Sequence, residues 1–296
     1  MSKCTLCPRE CGIDREKSLG FCRAPNEIKI ARAALHHWEE PCISGTRGSG
    51  TIFFSGCSLG CAFCQNRDIS RGGRGSAVSA ERFREICFEL KDKGAHNVNL
   101  VTPMHYAPAI TEALLPIKDA LAIPVVCNTG GYDRPEAVRT LSAVTDCYLP
   151  DFKFASAEVA DRYCHAPDYP KVAVAAIAAM LEAAGSPVFD ENGILQKGVI
   201  VRHLILPGHR KDSMAVLDIL ASEFGSENIL LSLMSQYTPQ PGAEGNLARR
   251  LTDFEYKSVL AHAEKLGFGG YMQDRASASA AYTPDFDGTG VENAGK

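Results

Sequence analysis

The chain has 296 residues and a formal net charge of −4, from 31 Lys and Arg against 35 Asp and Glu. It is long enough for one large α/β domain or two small ones, and its mild acidity gives no electrostatic footprint for nucleic acid or an acidic membrane surface. Hydrophobic residues make up 45%, and no apolar run reaches the roughly 18 residues of a membrane span, so a folded globular protein is expected. Residues 1–7 have no apolar stretch behind a basic start, which argues against a secretory signal and for a cytoplasmic setting. Twelve cysteines are the anomaly: without an export signal they point to metal ligation or redox chemistry rather than structural disulfides.

In chain order, residues 1–50 are rich in Cys, Pro and Arg with little strand or helix periodicity, the pattern of a small metal-organised cap. Cys4, Cys7, Cys11 and Cys22 have the spacing C-x2-C-x3-C-x10-C. Four thiolates so close in sequence suit a closed tetrahedral Zn2+ site that folds an otherwise coreless segment, and they also suit an auxiliary Fe–S cluster; the reading favours zinc. His36-His37 with Glu39-Glu40 is not read as a metal quartet, because consecutive histidines on an extended segment do not face one ion; it is read as holding the cap against the rest of the fold.

From residue 51 to 273, short apolar runs alternate with amphipathic stretches. Strands are expected at 51–55, 97–102, 124–128, 146–151, 198–206 and 228–234. Helices are expected at 79–93, 106–118, 134–144, 168–184, 211–224 and 252–266, the first stopped by Gly94 and the last opened by a Thr252/Glu255 capping box. Six β-α units in series predict a parallel sheet with right-handed crossovers. A partial (β/α)6 TIM-type barrel and an open doubly wound sheet fit this pattern equally; the placement of the chemistry favours the barrel. Residues 274–296 are small and polar and are expected to be a flexible tail, with Tyr282 and Phe286 as its docking candidates. Cys87, Cys127, Cys147 and Cys164 read as buried small hydrophobes.

The strongest signal follows the first expected strand: Cys57, Cys61 and Cys64 in the spacing C-x3-C-x2-C. Three thiolates on one tight loop hold three irons of a cubane cluster and leave the fourth open, the requirement for binding something reactive. Gly56 and Gly60 are expected to let the loop curl around the cluster. A structural zinc loop with a borrowed fourth ligand is the bland alternative.

This loop, with Phe63 before its last cysteine, resembles the cluster motif of the radical S-adenosylmethionine (SAM) enzymes. More narrowly, the chain resembles the pyruvate formate-lyase activating enzyme-like branch. The supporting segments are residues 4–11, 39–45, 48–57, 101–106, 148–153, 201–208 and 234–237, within about residues 1–273. The resemblance implies a [4Fe-4S] cluster whose open iron binds SAM, reductive cleavage to methionine and a 5′-deoxyadenosyl radical, and hydrogen abstraction from a substrate. It also implies a flavodoxin- or ferredoxin-type electron donor and an anaerobic setting.

Polar residues gather at the expected C-terminal strand ends, where barrel enzymes keep their chemistry. They are Thr102 and His105, Asn128 and Thr129, Asp151 and Lys153, Arg202 and His203, and Gln236 and Tyr237. By resemblance, Phe63 packs on adenine, and Asp151 and Lys153 meet SAM. Asn128-Thr129 stands where activating enzymes often carry Asp-Thr, so one carboxylate is missing. Thr102-Pro-Met-His105 replaces the Gly-Gly-Glu of many radical SAM enzymes, which leaves the SAM amino group to backbone carbonyls or Thr102. Arg202 and Gln236 complete the expected cofactor set. His105, His203, Tyr237 and Arg67 are candidates for the substrate side, with core histidines and a solvated arginine loop as the plainer readings. Three functions are expected in turn: an activase that makes a glycyl radical on a partner enzyme, a radical enzyme acting on a small molecule or modified nucleobase, such as a lyase, and a non-catalytic metal-binding scaffold. No nucleic-acid or membrane partner is expected.

Overall fold

The computed structural model describes residues 3–273 and 283–292. Its strands, in chain order, are β1 (Lys29–His36), β2 (Ser49–Phe54), β3 (Ser76–Ala77), β4 (Val98–Val101), β5 (Val125–Thr129), β6 (Cys147–Pro150), β7 (Val188–Phe189), β8 (Leu195–Leu204), β9 (Leu230–Met234) and β10 (Gly270–Met272). The sheet runs β10-β9-β8-β6-β5-β4-β2-β1-β3, with β7 paired to β8. The six expected strands are β2, β4, β5, β6, β8 and β9, and each pairs in parallel with the next. The sheet does not close on itself, so the architecture is the partial barrel. Among the described residues no helix is long and apolar enough to cross a membrane.

The expected helices form as Ala80–Asp92, Ala107–Leu114, Pro135–Ser142, Tyr169–Ala184, Arg210–Phe224 and Asp253–Lys265. The 106–118 stretch is broken by a 3-10 turn at Leu115–Ile117, where Pro116 has no N–H to continue the ladder. A further helix, Ala157–Cys164, was not legible as a period; Ser156 caps it by accepting from the Val159 N–H.

The 1–50 segment holds β1, which pairs antiparallel with β2, while residues 3–28 carry no helix or strand. The described part of the expected flexible tail is docked. Phe286 is buried with its ring 5.3 Å from Phe53, and the tail backbone bonds β1 through Gly288 N–H to Ala31 and Thr289 C=O from Ala33. One aromatic anchor and backbone bonds to β1 hold a segment whose composition looked featureless. Tyr282 lies outside the described residues.

Successive strand residues face opposite sides, and this period positions the site. Val125, Cys127, Tyr148, Val199, Val201, Leu231 and Leu233 join the large core under the helices. The other face begins apolar, where Cys42, Ile43, Val126, Cys147, Leu149, Leu195 and Ile200 pack together. One step further along the same face come Asn128, Asp151 and Arg202. The inner face thus changes from apolar to charged toward the C-terminal strand ends.

The last helix begins on a closed polar knot. Glu255 accepts from the Thr252 N–H, the Gly208 N–H and both Nη atoms of Arg249, while Thr252 Oγ1 accepts from the Glu255 N–H. These bonds, led by Arg249, hold the Glu255 carboxyl well below the usual range. A depressed carboxyl contributes stability above its unfolded pKa of about 4.3 and loses it as pH falls through the lower folded value. Glu255→Gln is therefore expected to cost about 2 kcal/mol at pH 7. Denaturant titrations should show that gap shrinking steadily below pH 4; a gap independent of pH would contradict the assignment.

Candidate functional site

The strand ends of the barrel open into a cavity of about 240 Å3. Cys57, Cys61 and Cys64 line it, together with Phe63, Thr102, Asn128, Thr129, Asp151, Lys153, Arg202 and Gln236. All the residues expected around the cluster and cofactor are therefore brought to one place. Thr102 is held with φ +60°, an uncommon conformation for a non-glycine residue, by its N–H bond to the Asn128 carbonyl at 2.7 Å.

The candidates for the substrate side are elsewhere. His105 is buried, donates from Nε2 to the Ser55 carbonyl at 2.9 Å, and is pushed by burial to a pKa of about 4. His203 is likewise buried and donates from Nδ1 to the Phe152 carbonyl at 2.6 Å; burial again lowers its pKa to about 4. Tyr237 is buried with its hydroxyl donating to the Leu247 carbonyl, and Arg67 lies exposed on the short helix Arg67–Ser70. None of the four lines the cavity.

A charge network whose side chains are 11–16% exposed lines one wall. Arg202 donates from Nε to Asp151 (3.1 Å), from Nη1 to Glu39 (3.2 Å) and from Nη2 to Asn128 (2.7 Å). Asp151 also accepts from Lys153. Burial is the largest influence on Asp151 and pushes its pKa up, yet Lys153 and Arg202 together outweigh it and hold the carboxyl low. Glu39 goes the other way: burial wins over Arg202 and its pKa rises to about 7. Asn128 explains the missing carboxylate, since its amide accepts from Arg202 and donates to Glu39. An ionised aspartate has no proton for the second bond.

Glu39 and Asp133 are the polar residues that sequence reasoning missed. Glu39 was assigned to a clamp rather than to the cavity wall, and its only signal was a carboxylate pair before Pro41. Asp133 is buried beneath the wall, accepts from Thr129 Oγ1 at 2.6 Å, and is pushed by burial to a pKa of about 7. Cys164 was read as a core residue, and it is buried, but its sulfur lies 3.2 Å from that of Cys61.

The loop cysteines suit an iron–sulfur cluster. Burial pushes the Cys57 thiol to about 12, and charge on Cys61 and Cys64 adds to the rise, so three thiolates here need compensating metal charge. The Leu59 N–H already points at the Cys57 sulfur, 3.4 Å away. Among the described residues no three His, Cys, Asp or Glu side chains are placed to hold a single metal ion. In the cap, Cys4, Cys11 and Cys22 are the electrostatic neighbours that raise the Cys7 thiol further, after burial, to about 11. The Cys11 sulfur accepts from the Phe21 N–H.

The radical SAM superfamily model matches residues 51–217. An uncharacterized protein of Methanocaldococcus jannaschii, MJ0674, is 30% identical over 275 residues, spanning 88% of this chain and 74% of that protein. The chain belongs to the radical SAM superfamily. Its fold is similar to that of methylornithine synthase (PylB), with a TM-score of 0.51 and 14% identity over 81% of this chain and 70% of that one. It is also similar to HydG, a maturase of the [FeFe]-hydrogenase, at TM-score 0.51 and 15% identity over 73% of this chain and 48% of that one.

Removing one member of a largely buried ion network leaves the others uncompensated, at a cost of up to about 3–5 kcal/mol for full burial and less at this cavity wall. Arg202→Met is expected to lose part of that in chemical denaturation. Adding Glu39→Gln to it should restore part of the loss, because one orphaned charge disappears. Strict additivity of the two changes would count against the network.

Proposed function

We propose that this protein is an enzyme that reductively cleaves SAM and abstracts hydrogen from a small molecule held beside the cofactor. A second cavity, of about 330 Å3, carries this reading. It shares Trp38, Glu39, Arg202, Met234 and Gln236 with the first, so the two are lobes of one cleft. When bound, the [4Fe-4S] cluster and SAM supply one-electron cleavage of a C–S bond and a hydrogen-abstracting radical.

The chain's own residues would prepare the cleft. Cys57, Cys61 and Cys64 would hold three irons. Asp151 and Lys153 provide one acceptor and one donor for the polar end of SAM, and Phe63 provides an apolar face 6.0 Å from the Lys153 ammonium. Phe53, Leu204 and Met234 line the same cavity and limit the water that reaches it. Glu39 and Arg202 lie on the boundary between the lobes, so they fix both ligands relative to one wall. A flavodoxin- or ferredoxin-type donor would supply the electron, and a glycyl radical enzyme as substrate is the competing outcome.

The anaerobically reconstituted protein, given SAM and dithionite, is expected to release 5′-deoxyadenosine, and Cys61→Ala to abolish this. Wild-type product from that variant would refute the ligand assignment. Transfer of hydrogen from a deuterated glycyl peptide into 5′-deoxyadenosine would favour the activase instead.

Among the described residues the four cap thiols as placed do not enclose a single ion, and we assign zinc to them on the donor type and spacing alone. Metal analysis of the Cys7→Ser variant is expected to show lost zinc and unchanged iron per chain. Lost iron would make the cap a second cluster.

A further inference from the structure

We propose that the docked C-terminal segment, residues 283–292, is a wall of the cofactor cavity and a determinant of SAM binding, with Phe286 as its positioning residue; this rests on the reading of that cavity as the SAM site. Thr283 and Pro284 line the same cavity as the cluster cysteines. Phe53, Ile69 and Val101 line it too, and these three side chains, with Ala31, bury Phe286. The cavity and the tail therefore share one set of side chains.

The segment is fastened along its length. Arg32 donates from Nη1 to the Asp285 carbonyl (3.0 Å) and to the Asp287 carboxylate (2.9 Å). Beyond the backbone bonds of Gly288 and Thr289 to β1, Arg82 donates to the carbonyls of Gly290, Val291 and Glu292. Val291 is buried in the large core, and a Cβ at Gly290, where φ is +73°, would lie 2.1 Å from the Ala33 carbonyl oxygen. β3 pairs only with Lys29 and Ile30, so cover for the rest of that strand edge accounts for the bonds to Ala31 and Ala33. It does not account for Thr283 and Pro284 at the cavity, nor for a Phe286 socket made from the cavity wall.

The coupling follows from the shared side chains. A ligand shifts an equilibrium only through contacts that differ between its two states. Thr283 and Pro284 stand at the cavity only when the segment is docked. The Phe53 ring has two aromatic neighbours, Phe286 at 5.3 Å and His36 at 6.3 Å, so loss of Phe286 leaves a ring of the cavity wall with one of them. A ligand in the cavity packs on the same wall that holds Phe286. Docking of the segment and binding of SAM therefore favour each other by one common factor.

The test uses the full chain with its cluster reconstituted and left oxidised, so that SAM binds without being cleaved. Equilibrium dialysis reads SAM affinity, and hydrogen exchange reads the segment with and without SAM. In the wild type, SAM is expected to slow exchange of the Gly288 amide, which donates to Ala31, at least about fivefold. Phe286→Ala is expected to bind SAM at least about fivefold more weakly at unchanged iron content. Phe286→Leu keeps an apolar side chain in the socket and should recover part of that loss. A role in stability alone would lower the melting temperature of Phe286→Ala while leaving its SAM affinity as in the wild type. That result, or Gly288 exchange indifferent to SAM, would overturn the proposal while the wild type still binds SAM. A wild-type chain with a full cluster that binds no SAM would overturn the reading of the cavity, and the proposal with it.

Discussion

One guanidinium ties the barrel mouth together. Arg202 projects from β8 and reaches Asp151 after β6, Asn128 on β5, and Glu39 in the connection that follows β1. A largely buried cation gives up these partners only at a penalty, so the strand ends are fixed in relative height. The same bonds bring residue 39 across the opening. Trp38 and Glu40 come with it, and both lobes of the cleft take their shared wall from this crossing. The stiffness matters for function, because two ligands that must react need a common reference frame.

A second set of cations joins the cysteine-rich cap to the cluster loop. Phe21 is packed between the guanidinium groups of Arg9 and Arg71, 3.9 and 4.3 Å from its ring centre. Arg9 donates to the carbonyls of Ser58 and Cys164, and Arg71 to those of Phe21 and Leu59. The Cys57 N–H bonds the Cys22 carbonyl directly at 3.0 Å. A loop with little regular structure of its own thus finds partners for its backbone in the cap. The loop glycines follow from this contact. A Cβ at Gly56, where φ is +91°, would lie 2.7 Å from the Cys22 carbonyl oxygen, and one at Gly60 would meet the Arg71 guanidinium. Close approach of the cap at Gly56 and a φ of +146° at Gly60, not only curvature around a cluster, select glycine at the two positions.

The alternation of apolar runs and amphipathic stretches was legible because parallel strands buried on both faces must be apolar, and helices must turn one face inward. The cavity set was legible for the same reason: a polar residue at the end of such a run, as at Asn128, Asp151 or Arg202, has little reason to be there except a site. β1 escaped because its bulge between Ile30 and Arg32 puts two consecutive residues, Ile30 and Ala31, in buried positions and breaks the alternation. Glu39 escaped because no periodicity marks a connection, and only the fold brings residue 39 beside residue 202. His105 and His203 looked functional by position, yet each sits where a main-chain carbonyl needed a donor. A strand-end histidine and a cavity histidine have the same sequence signature, and only the direction of the ring separates them.

Burial at the cluster loop has a consequence that links its two neighbours. Cys57, Cys61 and Cys64 are all raised above ordinary thiol pKa values, by burial and by one another, with Cys164 the leading influence on Cys61. Ionising all three would cost free energy that metal coordination returns, so a cluster held there would be coupled to order in the loop. Order in the loop is in turn coupled to docking of the cap, because the Cys57 backbone and both arginines span that boundary. Arg9 joins the cap to both neighbours of the loop cysteines, the Ser58 and Cys164 carbonyls, so order in the cap and order in the loop stabilise one another.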